Sequence, residues 1–522
     1  MISKLLYHKN KIYILFLFFF SIIINQYYGN RGALPLDSFH FFDSGYRIQN
    51  GDVPFIDYWL VKGVLLDYIQ AIFFYIFGLN WQSYVLHASS INALITISTF
   101  LVLKNFKLQT EYCFFYSLLL SILAYPSSGT PFIDHHSAFL SLLGIYSLLL
   151  AISNKRRIYW FLIPILLGFA FLSKQVPATY VILSVIFILF LYALTNRKFD
   201  CIKYSFISSF FFIFFILSFG KFQGIALSSF LDQYIFYPQT IGSERFKNLS
   251  LTFNNTVENF TLIYLTIVPL FYENFKKIFY EKNYAKHENF YIFLTLVFLT
   301  FSLVLHQLLT KNQIFIFFLI PILTAFSHIS LNQSKLKFKK SICSVIILIC
   351  LFATFKYHLR YNENRKFHEL KNINFQLAID AKKIHKKLSG LNWITPKFKD
   401  NPEKEINLIN QIFSILKKDT RKKMVITNYP FFSVILEEDL HAPSRVYTGD
   451  GTTHPLKDSD FTLNYKKMMD NLILKNNISV IYVIDKTDEN VIFHYLDLYQ
   501  HCYEKISLHS QLESYELKNC ND

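Results

Sequence analysis

The sequence has 522 residues, of which 52% are hydrophobic and 18% aromatic, and its formal net charge is +16. A mean hydropathy of +0.29 excludes an ordinary soluble globular protein. These values predict an α-helical multi-pass membrane protein.

Apolar runs of spanning length follow one another along the first two thirds of the chain and predict about eleven transmembrane helices. They lie at 12–28, 82–103, 111–125, 134–152, 158–173, 176–195, 201–219, 259–273, 289–306, 312–328 and 340–356. The first run has no small-residue cleavage site, so we interpret it as a retained span rather than a signal peptide.

Basic residues fall in alternate loops between these runs, with Lys104, Lys155, Arg197, Lys276 and Lys335 as examples. With a cytoplasmic N-terminus, every such loop lies inside, as the positive-inside rule requires. The charge therefore reflects membrane topology, and no nucleic-acid partner is needed to explain it. The same count predicts a membrane domain at 1–357 and an extracytoplasmic domain at 358–522. Composition, without a eukaryotic retention signal, favours a cell inner (plasma) membrane.

The first predicted outer loop concentrates charged and aromatic residues between 36 and 78. It carries Asp37, Asp57 and Lys62 among side chains that are typical of a bilayer interface. Near-helical spacing of apolar residues at 38–50 and 63–78 predicts two short helices that lie on the outer membrane surface. Such a loop is either a membrane anchor or the roof of an active site.

Further polar residues are predicted on the same outer face. Asp134 and His135 stand at the mouth of the fourth span, Lys174 at the end of the fifth, and Lys311 before the tenth. They could cap a helix or reach the interface as ordinary polar groups. Alternatively, they form the rim of a substrate pocket in which the lysines bind a lipid phosphate. Arg245, in a long outer loop, could bind an acidic group or be a surface charge.

The region after the last span predicts a small α/β domain. Strand-like runs at 424–428 and 478–484 alternate with helix-like runs at 405–417 and 464–475, after a charged helix-like segment at 361–391. Cys502 and Cys520 lie in a compartment that permits a disulfide, although nothing in the sequence requires one.

The first outer loop resembles that of the polyprenol-dependent multi-pass glycosyltransferases of the C superfamily, which include aminoarabinose transferases and protein O-mannosyltransferases. The resemblance follows the order Asp37, then Gly51-Asp52-Val53-Pro54-Phe55-Ile56-Asp57, then Lys62-Gly63-Val64 and a second surface helix. Two positions depart from the usual pattern, Ser38 where many relatives have Glu and Val64 where they have Pro.

The resemblance implies an inverting transfer of a sugar from a polyprenyl-phosphate donor to a glycolipid, polysaccharide or protein acceptor on the extracytoplasmic face. It implies that Asp37 is the base, while the lysines at 174 and 311 suit the phosphate and Asp57, Lys62, Asp134, His135 and Arg245 suit substrate binding. No cofactor is required by this chemistry, and a divalent metal stays open because superfamily members differ in this respect. A transporter or flippase, or a polymerase of lipid-linked glycans, is the alternative.

Overall fold

The computed structural model describes residues 2–310, 316–364, 370–484, 503–509 and 511–518. The chain divides into two compact units, each assembled from separate stretches of sequence. The helical unit comprises Met1–Gly29, Val85–Ile216 and Asn248–Phe367, and the loop-sheet unit comprises Asn30–Tyr84, Leu217–Lys247 and His368–Asp522. This division is based on packing contacts between residues. The boundary predicted at residue 357 is of another kind, because it separates the membrane domain from the outer domain, and it stays a prediction.

The described part of the chain is mostly helical. In chain order the helices are α1 (Ile2–Gly29), α2 (Pro35–Ser38), α3 (His40–Gln49), α4 (Val64–Phe77), α5 (Trp81–Asn105), α6 (Thr110–Ala124), α7 (Ile133–Asn154), α8 (Arg157–Ser173), α9 (Gln175–Asn196), α10 (Asp200–Phe222), α11 (Leu227–Leu231), α12 (Tyr237–Lys247), α13 (Phe253–Thr256), α14 (Thr261–Tyr280), α15 (Glu288–Thr310), α16 (Leu319–Gln333), α17 (Lys339–Leu359), α18 (Pro402–Lys418), α19 (Phe432–Leu436) and α20 (Thr462–Lys475).

The multi-pass helical fold predicted from the sequence is confirmed. Within the described ranges, 7 helices are long and apolar enough to cross a membrane: Lys9–Gly29, Trp81–Asn105, Ile133–Asn154, Gln175–Asn196, Asp200–Phe222, Glu288–Thr310 and Lys339–Glu363. The other predicted spans coincide with α6, α8 and α16, which have 15, 17 and 15 residues, and with α14, which carries three charged residues near its end. The count of eleven stays a prediction.

Helix α7 lies at the centre of the helical unit, since 83% of its most apolar stretch is buried against 11% for α10. Gly144 lets α8 approach α7 closely, because a Cβ at this position would lie 2.8 Å from Leu167 Cδ2. The exposed face of α10 is lined by phenylalanines, as expected of a lipid-facing helix. This packing places the start of α7, with its polar residues, among neighbouring helices.

The loop-sheet unit contains the strands β1 (Ile379–Asp380), β2 (Asn392–Trp393), β3 (Lys423–Thr427), β4 (Val480–Ile484), β5 (Tyr503–His509) and β6 (Leu512–Leu517). Four of them form one sheet in the order β3-β4-β6-β5, with β3 and β4 parallel and the other pairs antiparallel. Every residue of β3 and β4 is buried, as in strands covered on both faces. The predicted strands and the helices α18 and α20 are therefore present, and β5 and β6 are additional.

Two sequence predictions need correction. The segment 361–391 is not one helix. In its described part, a π-helical turn follows the end of α17, and short 3₁₀ turns come after it. The predicted first-loop helices exist as α3 and α4, but α3 is not a surface helix, because the residues from Phe41 to Arg47 are buried. Helix α4 does expose apolar side chains, with Tyr75 86% and Ile76 61% exposed.

Candidate functional site

The helical unit contains a buried cluster of one acid and two bases, which we call the Asp134 cluster. Oδ1 of Asp134 accepts a hydrogen bond from Lys174 Nζ at 2.6 Å and lies 2.7 Å from His306 Nε2. The three side chains are 7%, 12% and 2% exposed, respectively. Buried charges need a partner of opposite sign, and this carboxylate supplies one for the ammonium.

Helices α7 and α15 and the junction between α8 and α9 position the Asp134 cluster. Asp134 stands in the first turn of α7, where the helix dipole favours an anion, and His306 stands in the last turns of α15. Lys174 occupies the extended residue between α8 and α9, and its backbone carbonyl accepts a hydrogen bond from Ser137 Oγ at 3.1 Å. The lysine is thus fixed at both its backbone and its side chain.

The ammonium of Lys174 keeps hydrogen-bonding capacity beyond this pair. A lysine has three N–H donors, and in the described part of the chain Asp134 is the acceptor that Nζ has. Its side chain is 12% exposed, so part of it remains open to the surroundings. Chemically, the cluster is a fixed cation able to donate to an anion.

The two histidines after Asp134 have separate surroundings. His135 stacks on Tyr125, with ring centroids 4.6 Å apart, and also packs against Phe132 and Phe139. His136 Nδ1 lies 3.0 Å from the Phe132 carbonyl oxygen, and its Nε2 lies 3.1 Å from His87 Nε2. The predicted substrate-binding role of His135 is untested, and its aromatic packing favours a structural role.

The predicted catalytic residue, Asp37, lies in the loop-sheet unit. It belongs to the short helix α2, is partly buried, and acts electrostatically on the Tyr84 hydroxyl. Lys62 is also partly buried, and its backbone carbonyl accepts a hydrogen bond from Arg445 Nη1 at 2.9 Å. Asp37 and Lys62 are therefore held in one compact unit.

Two arginines that the sequence analysis did not assign to the site fix this loop. Arg47 donates to Asp52 Oδ2 at 2.7 Å and to the Asp57 carbonyl oxygen at 2.9 Å. Arg445 pairs with Asp67, which also accepts a hydrogen bond from Tyr58. No sequence signal near Arg445 could have indicated this pairing, because the two partners are 378 residues apart.

Asp43 is a buried acid of the same loop. It is 5% exposed and accepts a hydrogen bond from Ser433 Oγ. Burial raises the pKa of Asp43 to about 6, although the nearby Arg47 charge acts in the opposite direction. This carboxyl therefore changes protonation within a mildly acidic pH range.

Two predicted substrate-binding residues have other surroundings. Asp57 is committed to local structure, because Oδ2 accepts from the Val53 backbone at 2.8 Å and Oδ1 from Lys475 Nζ at 2.8 Å. Arg245 is partly exposed near the end of α12. Their assignments stay predictions. Lys311, Cys502 and Cys520 lie outside the described residues.

The described ranges of the chain contain no group of three or more His, Cys, Asp or Glu side chains arranged to hold a metal ion. The His87–His136 pair supplies two imidazoles, fewer than the three protein ligands of a catalytic zinc site.

Comparison with known proteins gives structural neighbours. ArnT from Cupriavidus metallidurans bound to undecaprenyl phosphate has a TM-score of 0.45 and 10% identity, covering 97% of each chain. Its apo state has a TM-score of 0.46 and 12% identity, covering 99% of this chain and 98% of that one. These neighbours are aminoarabinose transferases, the group that the first-loop resemblance named. No family model matches the sequence, and no curated protein does.

Proposed function

We propose that the chain is an integral-membrane inverting glycosyltransferase. It moves a sugar from a polyprenyl-phosphate donor, such as an undecaprenyl-phosphate sugar, to a glycolipid, polysaccharide or protein on the extracytoplasmic face. A structural neighbour binds undecaprenyl phosphate, which agrees with this donor class. The proposal places the N-terminus in the cytoplasm and residues 358–522 outside, in a bacterial inner membrane.

The observation that carries the proposal is the environment of Lys174. Its side chain is 12% exposed, is oriented by Asp134, and lies at the end of a predicted span, the depth at which lipid phosphates lie. A lysine that only reached for the interface would extend into water and would need no buried carboxylate. The remaining N–H donors suit a phosphate oxygen of the donor lipid.

The reaction needs a base and a stabilised leaving group. Asp37 removes the proton from the acceptor hydroxyl, whose oxygen then forms a bond to the anomeric carbon of the sugar. The bond between that carbon and the phosphate oxygen breaks, and the polyprenyl phosphate leaves with the bonding electron pair. The lysines at 174 and 311 are the candidates that stabilise its negative charge. Attack opposite the leaving phosphate inverts the anomeric configuration without a covalent enzyme intermediate.

Transfer in detergent separates this function from transport. The purified full-length protein is incubated with radiolabelled undecaprenyl-phosphate hexoses or pentoses and with a membrane extract that supplies acceptors. A glycosyltransferase incorporates label into the extract without two compartments, whereas a transporter or flippase cannot act without them. Absence of incorporation from the whole donor panel, with a folded protein, would contradict the proposal.

A further inference from the structure

A short segment of the C-terminal region, residues 442–445, is hydrogen-bonded to the first outer loop within the loop-sheet unit. The backbone carbonyls at 442 and 443 accept hydrogen bonds from Arg47 Nη1 at 2.7 Å and from the Trp59 backbone at 2.8 Å. At the end of the segment, Arg445 Nη1 donates to the Lys62 carbonyl oxygen at 2.9 Å. The segment is therefore attached to the loop at three points that precede α4.

The bond from Arg445 holds a peptide group that has glycine on one side. Gly63 follows Lys62 and has a φ of 86°, a left-handed conformation that glycine adopts without strain. Because glycine has no Cβ, the peptide between these two residues can rotate readily, and its rotation changes where Lys62 lies relative to α4. The hydrogen bond to the carbonyl oxygen of this peptide fixes its orientation.

Arg445 is itself held on the other side of its guanidinium. Nη2 donates to the carboxylate of Asp67 in the first turn of α4, and this carboxylate also accepts hydrogen bonds from Ser44 and Tyr58. The guanidinium carbon lies 5.0 Å from the ring centre of Phe41. Since Asp67 is fully buried and Arg445 is 8% exposed, this ion pair is desolvated. One fork of donors thus joins the first turn of α4 to the residue that precedes the helix and fixes Lys62 relative to it.

We propose that Arg445 is a positioning residue for Lys62. This inference rests on the proposed function, in which Lys62 binds substrate, and it gives the C-terminal region a part in the reaction. Arg445 acts by holding the backbone from which the lysine projects, rather than by contact with the sugar or the phosphate. A displacement of about 1 Å in a group that orients a substrate can cost on the order of 100-fold in rate, so such a support matters for transfer.

Two variants remove the bond to the Lys62 carbonyl. Arg445→Lys keeps a cation beside Asp67 but replaces the planar fork by a single ammonium, which does not reproduce both bonds. Arg445→Met combined with Asp67→Asn removes both charges, so no buried carboxylate is left unpaired if the first variant fails to fold. Asn at position 67 still offers an oxygen to Tyr58.

A double-mutant cycle with Lys62→Ala separates positioning from a general structural role. The purified full-length proteins transfer the radiolabelled undecaprenyl-phosphate sugar that the wild type uses to the membrane extract, with donor and extract varied in turn. Lys62→Ala should lower kcat/KM for one of these substrates about 10- to 100-fold, and Arg445→Lys should lower it for the same substrate about 3- to 10-fold. In the Lys62→Ala background, Arg445→Lys should have less than about a twofold effect, because no lysine is left to position.

Arg421→Lys is the matched control in the same unit. Arg421 also donates to two carboxylates, Asp419 and Glu516, at 2.9 Å each, and both belong to the C-terminal region itself. Its replacement should leave kcat/KM within about twofold of the parent protein, with or without Lys62. A variant that only unfolds part of the protein would lower kcat by the same factor in both backgrounds and leave KM unchanged.

An equal loss from Arg445→Lys in the presence and absence of Lys62, or no loss at all, while the wild type transfers sugar, would overturn this inference alone. A Lys62→Ala protein with the kcat/KM of the wild type would overturn it too. A wild type that transfers no sugar from any donor of the panel would overturn the proposed function instead.

Discussion

Lys174 illustrates how one side chain can be charged, buried and still available to a ligand. Its pairing with Asp134 offsets the cost of burial, and the remaining N–H donors are free to point at an anion. The sequence indicated both residues separately, because each is a charge beside an apolar run. Their pairing could not be predicted, since 40 residues and a helix pair separate them.

Replacing Lys174 by Met should weaken the donor lipid selectively. Met keeps most of the side-chain length but removes a charge-assisted hydrogen bond, so we expect the KM for the undecaprenyl-phosphate sugar to rise about 10- to 100-fold. The KM for the acceptor should stay within about twofold. Lys155→Met is the control, because Lys155 also pairs with a carboxylate, Glu288, but is 60% exposed. Equal effects at both lysines would argue against a phosphate site at Lys174.

Asp43 should make the stability of the protein depend on pH. Its pKa is about 6 in the folded protein against an ordinary 3.8, so the folded state holds the proton more tightly. The stabilisation is complete below pH 4 and is lost as pH rises to about 6. Asp43→Asn keeps an acceptor for Ser433 but cannot titrate.

The thermal unfolding midpoint, measured from pH 4 to pH 7 in detergent, tests this prediction. The midpoint of the wild type relative to Asp43→Asn should fall between pH 4 and pH 6 and stay level above. A difference that is constant across the range would show that Asp43 does not titrate there.

At the scale of elements, the segment after the last span shows where a sequence pattern misleads. Apolar residues recur at three- and four-residue spacing from Leu370 to Leu391, which favours an amphipathic helix. In the structure most of these residues are buried, but the backbone forms a series of short 3₁₀ turns instead of one helix. Asn374, Asp380 and His385 each accept a hydrogen bond from the backbone two residues later. Such local bonds compete with the helix, and the apolar spacing alone does not reveal them.

The strands and helices of the C-terminal region were more predictable. Apolar runs predict β3 and β4. Amphipathic spacing predicts α18, and Asn401 is its N-cap in the structure. The hairpin of β5 and β6 was missed because its residues 503–508 are mainly exposed or partly exposed, so no continuous apolar run marks the first strand. Pairing with β6 and β4, rather than local pattern, defines that edge of the sheet.

Glu405 should be essential for the stability of the region around α18. It is fully buried and accepts hydrogen bonds from Trp393, Thr395 and Tyr429 at 2.8, 2.7 and 2.8 Å. Glu405→Ala leaves three buried donors without their acceptor, each costing about 1–3 kcal/mol. The thermal midpoint should fall clearly, while Glu403→Ala, at a 65% exposed carboxylate, should leave it unchanged. A similar midpoint for both variants would contradict this account of the network.

For the whole molecule, the predicted orientation can be tested directly. Alkaline phosphatase is active outside the cytoplasm and green fluorescent protein fluoresces inside it, so fusions report the side on which each junction lies. Junctions after Lys155 and Lys335 should give fluorescence, and junctions after Asn401 should give phosphatase activity. Phosphatase activity at Lys155 would invert the topology and place residues 358–522 in the cytoplasm.

The central claim is that this membrane protein transfers a lipid-linked sugar with Asp37 as base. The most direct measurement is sugar transfer by purified Asp37→Asn protein, alongside its binding of undecaprenyl phosphate and its thermal midpoint. The account predicts that transfer falls at least 100-fold, the range expected for loss of a general base, while lipid binding and the midpoint are unchanged. Wild-type transfer by this variant would contradict the account.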